Sequence, residues 1–153
     1  YATDNYLRDG IVRVNKDTEV EQTFKATRSF NYVRGYISSY DEKNNSKYKV
    51  EIIDKKDNKV VREHEFIYRE LYWEIPLQTY TLRWYFDDLP AGDYGVRFSQ
   101  IESDNNGSIV ISSVPNEMID MYTAGKLYIN GADQNRKDLS LQIGHRYQKL
   151  WWY

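Results

Sequence analysis

Cysteine is absent from the 153 residues, so neither a disulfide framework nor a thiolate metal site can form, and the redox compartment cannot be read from pairing. Histidine occurs twice, at His64 and His145, far apart and in unlike contexts, which excludes a histidine-rich metal centre. No run of about 18 apolar residues is present to span a membrane, and no signal-peptide pattern occurs in these residues. Neither charge is in surplus. The 21 Lys and Arg against 23 Asp and Glu leave a net charge of -2 and a pI near 5.7, which gives nucleic acid or anionic lipid no broad electrostatic attraction. Long segments with helical periodicity, internal repeats and low-complexity tracts are also missing. The chain opens at Tyr1 without a methionine, which reads as a piece of a longer protein.

What is present leans to β structure. Tyrosine alone contributes 15 residues, and short runs of Val, Ile, Thr and Tyr are cut by Asn, Asp, Gly and Lys clusters. The most telling stretch is residues 80–99. Tyr80, Leu82, Trp84 and Phe86 alternate in its first half and Tyr94, Val96 and Phe98 in its second, the pattern of strands with one buried face. Between them, DDLPAGD holds Pro90 and Gly92 and predicts a hairpin-type turn. Thr81, Arg83, Tyr85, Arg97 and Ser99 would then share the opposite, polar face. Elsewhere an opening segment, 1–10, ends in Asp9-Gly10. Val20, Gln22, Phe24 and Ala26 form one inward set and Tyr48, Val50 and Ile52 another. Gly35 inside residues 30–40 suggests a bulge or a close approach. Asp57-Asn58, Asn106-Gly107 and Asn130-Gly131 mark turns. Residues 67–79 read as a strand or irregular crossover, with Ile67, Leu71 and Ile75 also suiting a short helix, and a helical turn is expected from Asn116.

Roughly ten short strands spaced about 8 to 12 residues apart predict an all-β, antiparallel β-sandwich of jelly-roll type. At 18.3 kDa, one domain spanning 1–153 is long enough to bury most of its surface. The succession QTFKA (22–26), KVEIID (49–54), LPAGDYGVRF (89–98) and AGKLYINGADQNRKDLSLQI (124–143) resembles the galactose-binding-like jelly rolls. The resemblance covers roughly residues 11–147, and is greatest to the extracytoplasmic domains of large bacterial polytopic envelope proteins, including glycosyltransferase-like ones. It implies that Gly92, Tyr94, Gly125, Gly131, Asp138 and Leu139 serve the architecture. Because the family includes carbohydrate-binding modules, it also implies a possible role in glycan recognition.

Sugars offer flat C–H faces to aromatic rings and hydroxyls to planar polar groups, so a binding patch needs exposed rings beside carboxylate, amide or guanidinium groups. Alternation places Trp84 in the core. Trp73, Tyr72 and Tyr85 are the candidate rings, with Arg83, Arg97 and Asp87 as polar partners. Equally, a tyrosine-rich sandwich exposes rings simply because their hydroxyls seek water. Asp87-Asp88 is ordinary turn chemistry, or a structural calcium site completed by carbonyls, with no other cofactor expected and no other metal site. Catalysis would need paired carboxylates among Glu63, Glu65, Glu70 and Glu74, although alternating Glu on an exposed strand is commoner. Fragments at Arg69-Glu70-Leu71, Tyr85-Phe86 and Gln142-Ile143-Gly144-His145 resemble motifs of jelly-roll polysaccharide lyases, but the Gln/His motif has the wrong spacing and comes last.

The C-terminal RYQKLWWY spends two of four tryptophans after Arg146 and Lys149. A basic-then-aromatic ending over residues 148–153 suits a juxtamembrane flank, while Leu150 and Trp152 would also suit one more core strand. The expected role is a non-catalytic, extracytoplasmic module on the bacterial cell surface, part of a membrane protein. It would bind or position a carbohydrate or cell-envelope glycopolymer. The alternatives are a structural or protein-contact module covered by neighbouring domains of its parent protein, and a polysaccharide-degrading enzyme.

Overall fold

Period-2 runs of Val, Ile, Phe and Tyr make strands of nearly every alternating segment, in a computed structural model that describes residues 11–39, 44–76, 78–115, 125–134 and 137–146. The strands are β1 (Ile11–Val14), β2 (Val20–Ala26), β3 (Phe30–Ser38), β4 (Lys47–Asp54), β5 (Lys59–Ile67), β6 (Tyr72–Glu74) and β7 (Thr79–Leu89). They continue with β8 (Gly92–Glu102), β9 (Ile109–Pro115), β10 (Leu127–Ile129), β11 (Ala132–Asp133), β12 (Lys137–Leu139) and β13 (Leu141–Gly144). No helix among the described residues is long and apolar enough to cross a membrane. The opening segment 1–10, the expected helical turn from Asn116 and the proposed flank at 148–153 lie outside the described residues.

All pairings are antiparallel, and the strands form two sheets. The first runs β1-β9-β3-β7-β6, with β12 beside β9 and β13 beside β3. The second runs β11-β10-β2-β8-β4-β5. The chain changes sheet at most of its connections, as jelly-roll winding requires. Inward faces of both sheets merge into a single hydrophobic core, in which Phe24, Val50, Leu82, Trp84, Val96 and Phe98 are buried. The expected inward sets on β2, β4, β7 and β8 therefore hold.

One expectation is overturned. The stretch 80–99 is no hairpin, because β7 belongs to the first sheet, paired with β3 and β6, while β8 belongs to the second, between β2 and β4. Pro90 and Ala91 carry the chain across the core, and the Tyr94 hydroxyl donates to the Pro90 carbonyl at 2.7 Å to fix the corner. Alternation reports which face is buried, and two strands facing each other across a core alternate just as two paired strands do. Turn signals elsewhere hold. Asn58, Asn106, Asn130 and Gly131 all take positive φ, and Asn130-Gly131 joins β10 to β11. At Gly35 the close approach is real, since an added Cβ would sit 2.7 Å from Leu141 on β13, whereas the strand's irregularity falls between Phe30 and Tyr32. Residues 68–70 form one 3-10 turn before β6, and Ile75 is exposed rather than part of a helical core stripe.

A buried amide links the sheets. Gln22 on β2 is fully buried; its Nε2 donates to Asp138 Oδ1 at 3.0 Å, and its Oε1 accepts from the Leu139 N–H at 2.8 Å, both on β12. Replacing it by Leu keeps most of the volume but strips the buried Asp138 of an amide donor and the Leu139 N–H of its acceptor. Gln22→Leu should cost about 2–3 kcal/mol, read as a lower urea midpoint at unchanged slope. A loss under about 0.5 kcal/mol would show that the amide does not hold the sheets together.

Candidate functional site

The two sheets leave an opening where their edges meet. β5 is the outer strand of the second sheet, and β6 covers only Thr79–Thr81 of β7 in the first, so from Leu82 onward that edge of β7 has no strand partner among the described residues. Residues 68–72 cross from one sheet to the other at one end. At the other end Arg62 of β5 reaches over and donates to the carbonyls of Asp87 at 2.9 Å and Asp88 at 3.3 Å. Between these two straps lies a cleft of about 550 Å³, walled by His64, Glu65, Glu70, Tyr72, Trp73 and Arg83, among others.

β6 owes its place to one carboxylate. Glu74 Oε1 accepts from Arg34 of β3 at 2.5 Å and from Arg83 of β7 at 2.6 Å, so three neighbouring strands are tied through one oxygen. The hydrogen bonds from Arg34 and then Arg83 hold the Glu74 carboxyl below its ordinary range and raise both guanidinium groups. Arg83 also lies 3.9 Å from the centre of the Tyr72 ring, a cation–π contact that fixes the ring beside the cleft. Tyr72 pairs with Thr81 and so faces outward. Trp73 pairs with Tyr80, and its ring meets that of Tyr80 edge-on at 4.9 Å. Both rings stay about half exposed, Tyr72 at 53% and Trp73 at 45%.

Across the cleft, His64 stacks on Trp84 at 6.0 Å and on Phe66 at 6.4 Å. Burial lowers its pKa from the ordinary 6.5, so it stands neutral near pH 7, as an acceptor or donor of uncharged hydrogen bonds. Thr81, fully buried beside Tyr72, also borders the cleft, and its hydroxyl has no hydrogen-bond partner among the described residues. Such a group is held at a cost unless something else completes it.

Of the six residues that sequence pattern suggests, the structure gathers Tyr72, Trp73 and Arg83 at this cleft. Tyr85 follows Arg83 on the same outer face, about 7 Å along the strand, and packs on Tyr32 at 4.7 Å. Asp87 lies farther along β7, where its carbonyl receives Arg62. Arg97 is elsewhere. It belongs to β8, on the outer face of the second sheet, where Glu51 at 3.1 Å and Glu19 at 3.3 Å engage its Nε. The false hairpin is the cause of that misplacement. The calcium suggestion at Asp87-Asp88 meets a physical obstacle too, since the carbonyls that would complete it already receive a guanidinium, and Asp88 faces His145 at 3.2 Å. Among the described residues no three His, Asp or Glu side chains gather as a metal site. His64 and Thr81 carry no sequence signal of their own, whereas the Glu74 anchor is signalled only by sharing a stretch with Tyr72 and Trp73.

No protein-family model matches the chain, and no curated protein matches its sequence. Among solved structures, a family two carbohydrate esterase from Cellvibrio japonicus aligns over 90% of this chain and 29% of its own, with a TM-score of 0.41 and 9% identity. The chain thus spans less than a third of that protein's length.

A carboxyl held below its ordinary value stabilises the fold above that value and loses its contribution as pH falls through the lowered one. Stability from Glu74 is therefore complete above its ordinary 4.5 and fades in more acid solution. Glu74→Gln should lower Tm near neutrality and flatten the fall of Tm with acid below about pH 4.5. Parallel Tm profiles for variant and wild type throughout the acid range would show that the arginines do not hold this carboxylate.

Proposed function

We propose that this domain is a non-catalytic glycan-binding module and that the cleft between β5 and β7 is its binding site. The observation that carries the reading is a pair of half-exposed rings, Tyr72 and Trp73, set by a locked edge strand beside a cleft with hydrogen-bonding groups on its walls. Rings fixed before binding lose little freedom on contact, so stacking of a sugar face is not offset by ordering. His64, Thr81 and the backbone edge of β7, which has no strand partner beyond Thr81 among the described residues, offer donors and acceptors for hydroxyls. The volume of about 550 Å³ suits one or two sugar rings within a longer chain.

Binding without turnover suits the carboxylates. Glu74 is held ionised by two guanidinium groups, which fits an anchor better than a proton donor. Glu63 and Glu65 follow the register of Glu51 and Lys49 and so belong to the outer face of the second sheet, away from His64. We further place the domain among galactose-binding-like jelly rolls, as an extracytoplasmic part of a bacterial envelope membrane protein whose glycopolymer it positions. The support is the run of sequence segments 22–26, 49–54, 89–98 and 124–143. A protein-contact role is favoured by one observation, the 76% exposure of Ile75 next to the cleft rings.

Two substitutions separate these readings. Trp73→Ala should weaken binding to a neutral oligosaccharide about tenfold, ~1.4 kcal/mol, in calorimetric titration. Thr81→Val should leave Tm unchanged or higher, because it removes an unpartnered hydroxyl, yet reduce affinity several-fold. Unaltered affinity in both variants would reject the cleft as the glycan site. Capture of a protein partner that is lost in Ile75→Asp, with no saccharide bound, would favour the contact role.

A further inference from the structure

Charges around the cleft cancel at its two ends and not in the middle. On the 3-10 turn Arg69 precedes Glu70, both exposed, and that end is neutral. Glu65 follows the outer register of the second sheet, with Lys47 at 3.9 Å. At the far strap Asp87 and Asp88 are offset by two guanidinium groups. Arg62 donates to their carbonyls, and Arg146 follows His145, which meets Asp88 at 3.2 Å. The middle differs. Arg34 and Arg83 stand directly opposite each other on β3 and β7, a pairing that like charges disfavour, and both bond the same oxygen of Glu74. Neither has another carboxylate partner among the described residues, so two positive charges share one negative charge.

Of the two, Arg83 is the one that a ligand can reach. Its side chain is 38% exposed against 21% for Arg34, and it lines the cleft, laid over Tyr72 at 3.9 Å. Only its Nη2 finds an acceptor among the described residues, so Nε and Nη1 keep N–H donors for a second one. Carboxylate and sulfate oxygens meet a guanidinium through paired, charge-assisted hydrogen bonds. The chain's net charge of -2 gives a polyanion no general attraction, so a preference for acid has to arise at this place.

We propose that the cleft selects acidic glycans, with the anionic group of one sugar, a uronate carboxylate or a sulfate, seated on Arg83 beside the rings of Tyr72 and Trp73. The proposal rests on the glycan-binding reading and names the ligand class for the same site. The anion supplies the second negative charge that the Arg34–Arg83 pair lacks.

The test compares a galacturonate hexamer, its fully methyl-esterified counterpart and a sulfated galactose hexamer by titration calorimetry at about pH 7, where the carboxylates are ionised. At least one anionic hexamer should bind about fivefold tighter than the ester, the upper end for one exposed charge pair, and the tighter of the two names the anion. That ratio should fall toward one in Arg83→Gln, and in the wild type in about 1 M salt. In Glu74→Gln it should rise, because both guanidinium groups are then uncompensated, whereas loss of a merely structural contact would move acid and ester alike. An ester bound as tightly as both anionic hexamers, or a ratio unchanged in Arg83→Gln, overturns the acidic preference and leaves the glycan reading standing. No binding of any saccharide overturns both.

Discussion

One oxygen atom of Glu74, shared by Arg34 and Arg83, sets the geometry on which the cleft depends. β6 is three residues long and pairs with β7 at three positions only, too little ladder to hold an edge strand by itself. Two charge-assisted hydrogen bonds to one carboxylate, from two different strands, supply what the ladder lacks. With Glu74 fixed, Tyr72 faces out against the Arg83 guanidinium and Trp73 turns the other way against Tyr80. The charge that anchors the strand also orients the ring.

The same logic explains why a cleft exists where the sandwich could have closed. A jelly roll normally meets its edge problem by pairing or covering. Here β6 stops after Glu74, and Arg62 crosses from β5 to the carbonyls at the far end of β7. Between the two lies uncovered edge, apolar at its base through Leu71 and Leu82 and polar at its rim. Such a mixture, a few aromatic and apolar surfaces with scattered hydrogen-bonding groups, is what a sugar ring presents in reverse.

Much of the fold was legible because burial writes a period of two into each strand. The sets Val20, Gln22 and Phe24, Tyr48, Val50 and Ile52, and Leu82 and Trp84 all point inward as their alternation says. Even Gln22 obeys it, a polar residue buried because Asp138 and Leu139 satisfy its amide. Pairing was not legible. Pro90 and Ala91 form a link short enough for a hairpin, yet they join strands in different sheets, and that one ambiguity put Arg97 beside Arg83 when it belongs with Glu51. The site was half legible for the same reason. Tyr72, Trp73 and Arg83 come from one contiguous region of sequence, whereas His64 and Phe66 arrive from the other sheet's edge, and a Thr81 hydroxyl with no partner among the described residues is a property of packing that no local pattern encodes.

The most direct measurement of the central claim is a residue-resolved NMR titration of the domain with glucose-, hexosamine- and galactose-based oligosaccharides. The account predicts shifts confined to the cleft, led by the Trp73 indole N–H, the amides of Tyr72 and Leu82 and the Thr81 methyl, with Arg97 and Glu51 on the other sheet's outer face unmoved. Shifts centred on Arg97, on Tyr85 and Tyr32, or on no residue with any of these sugars would contradict it.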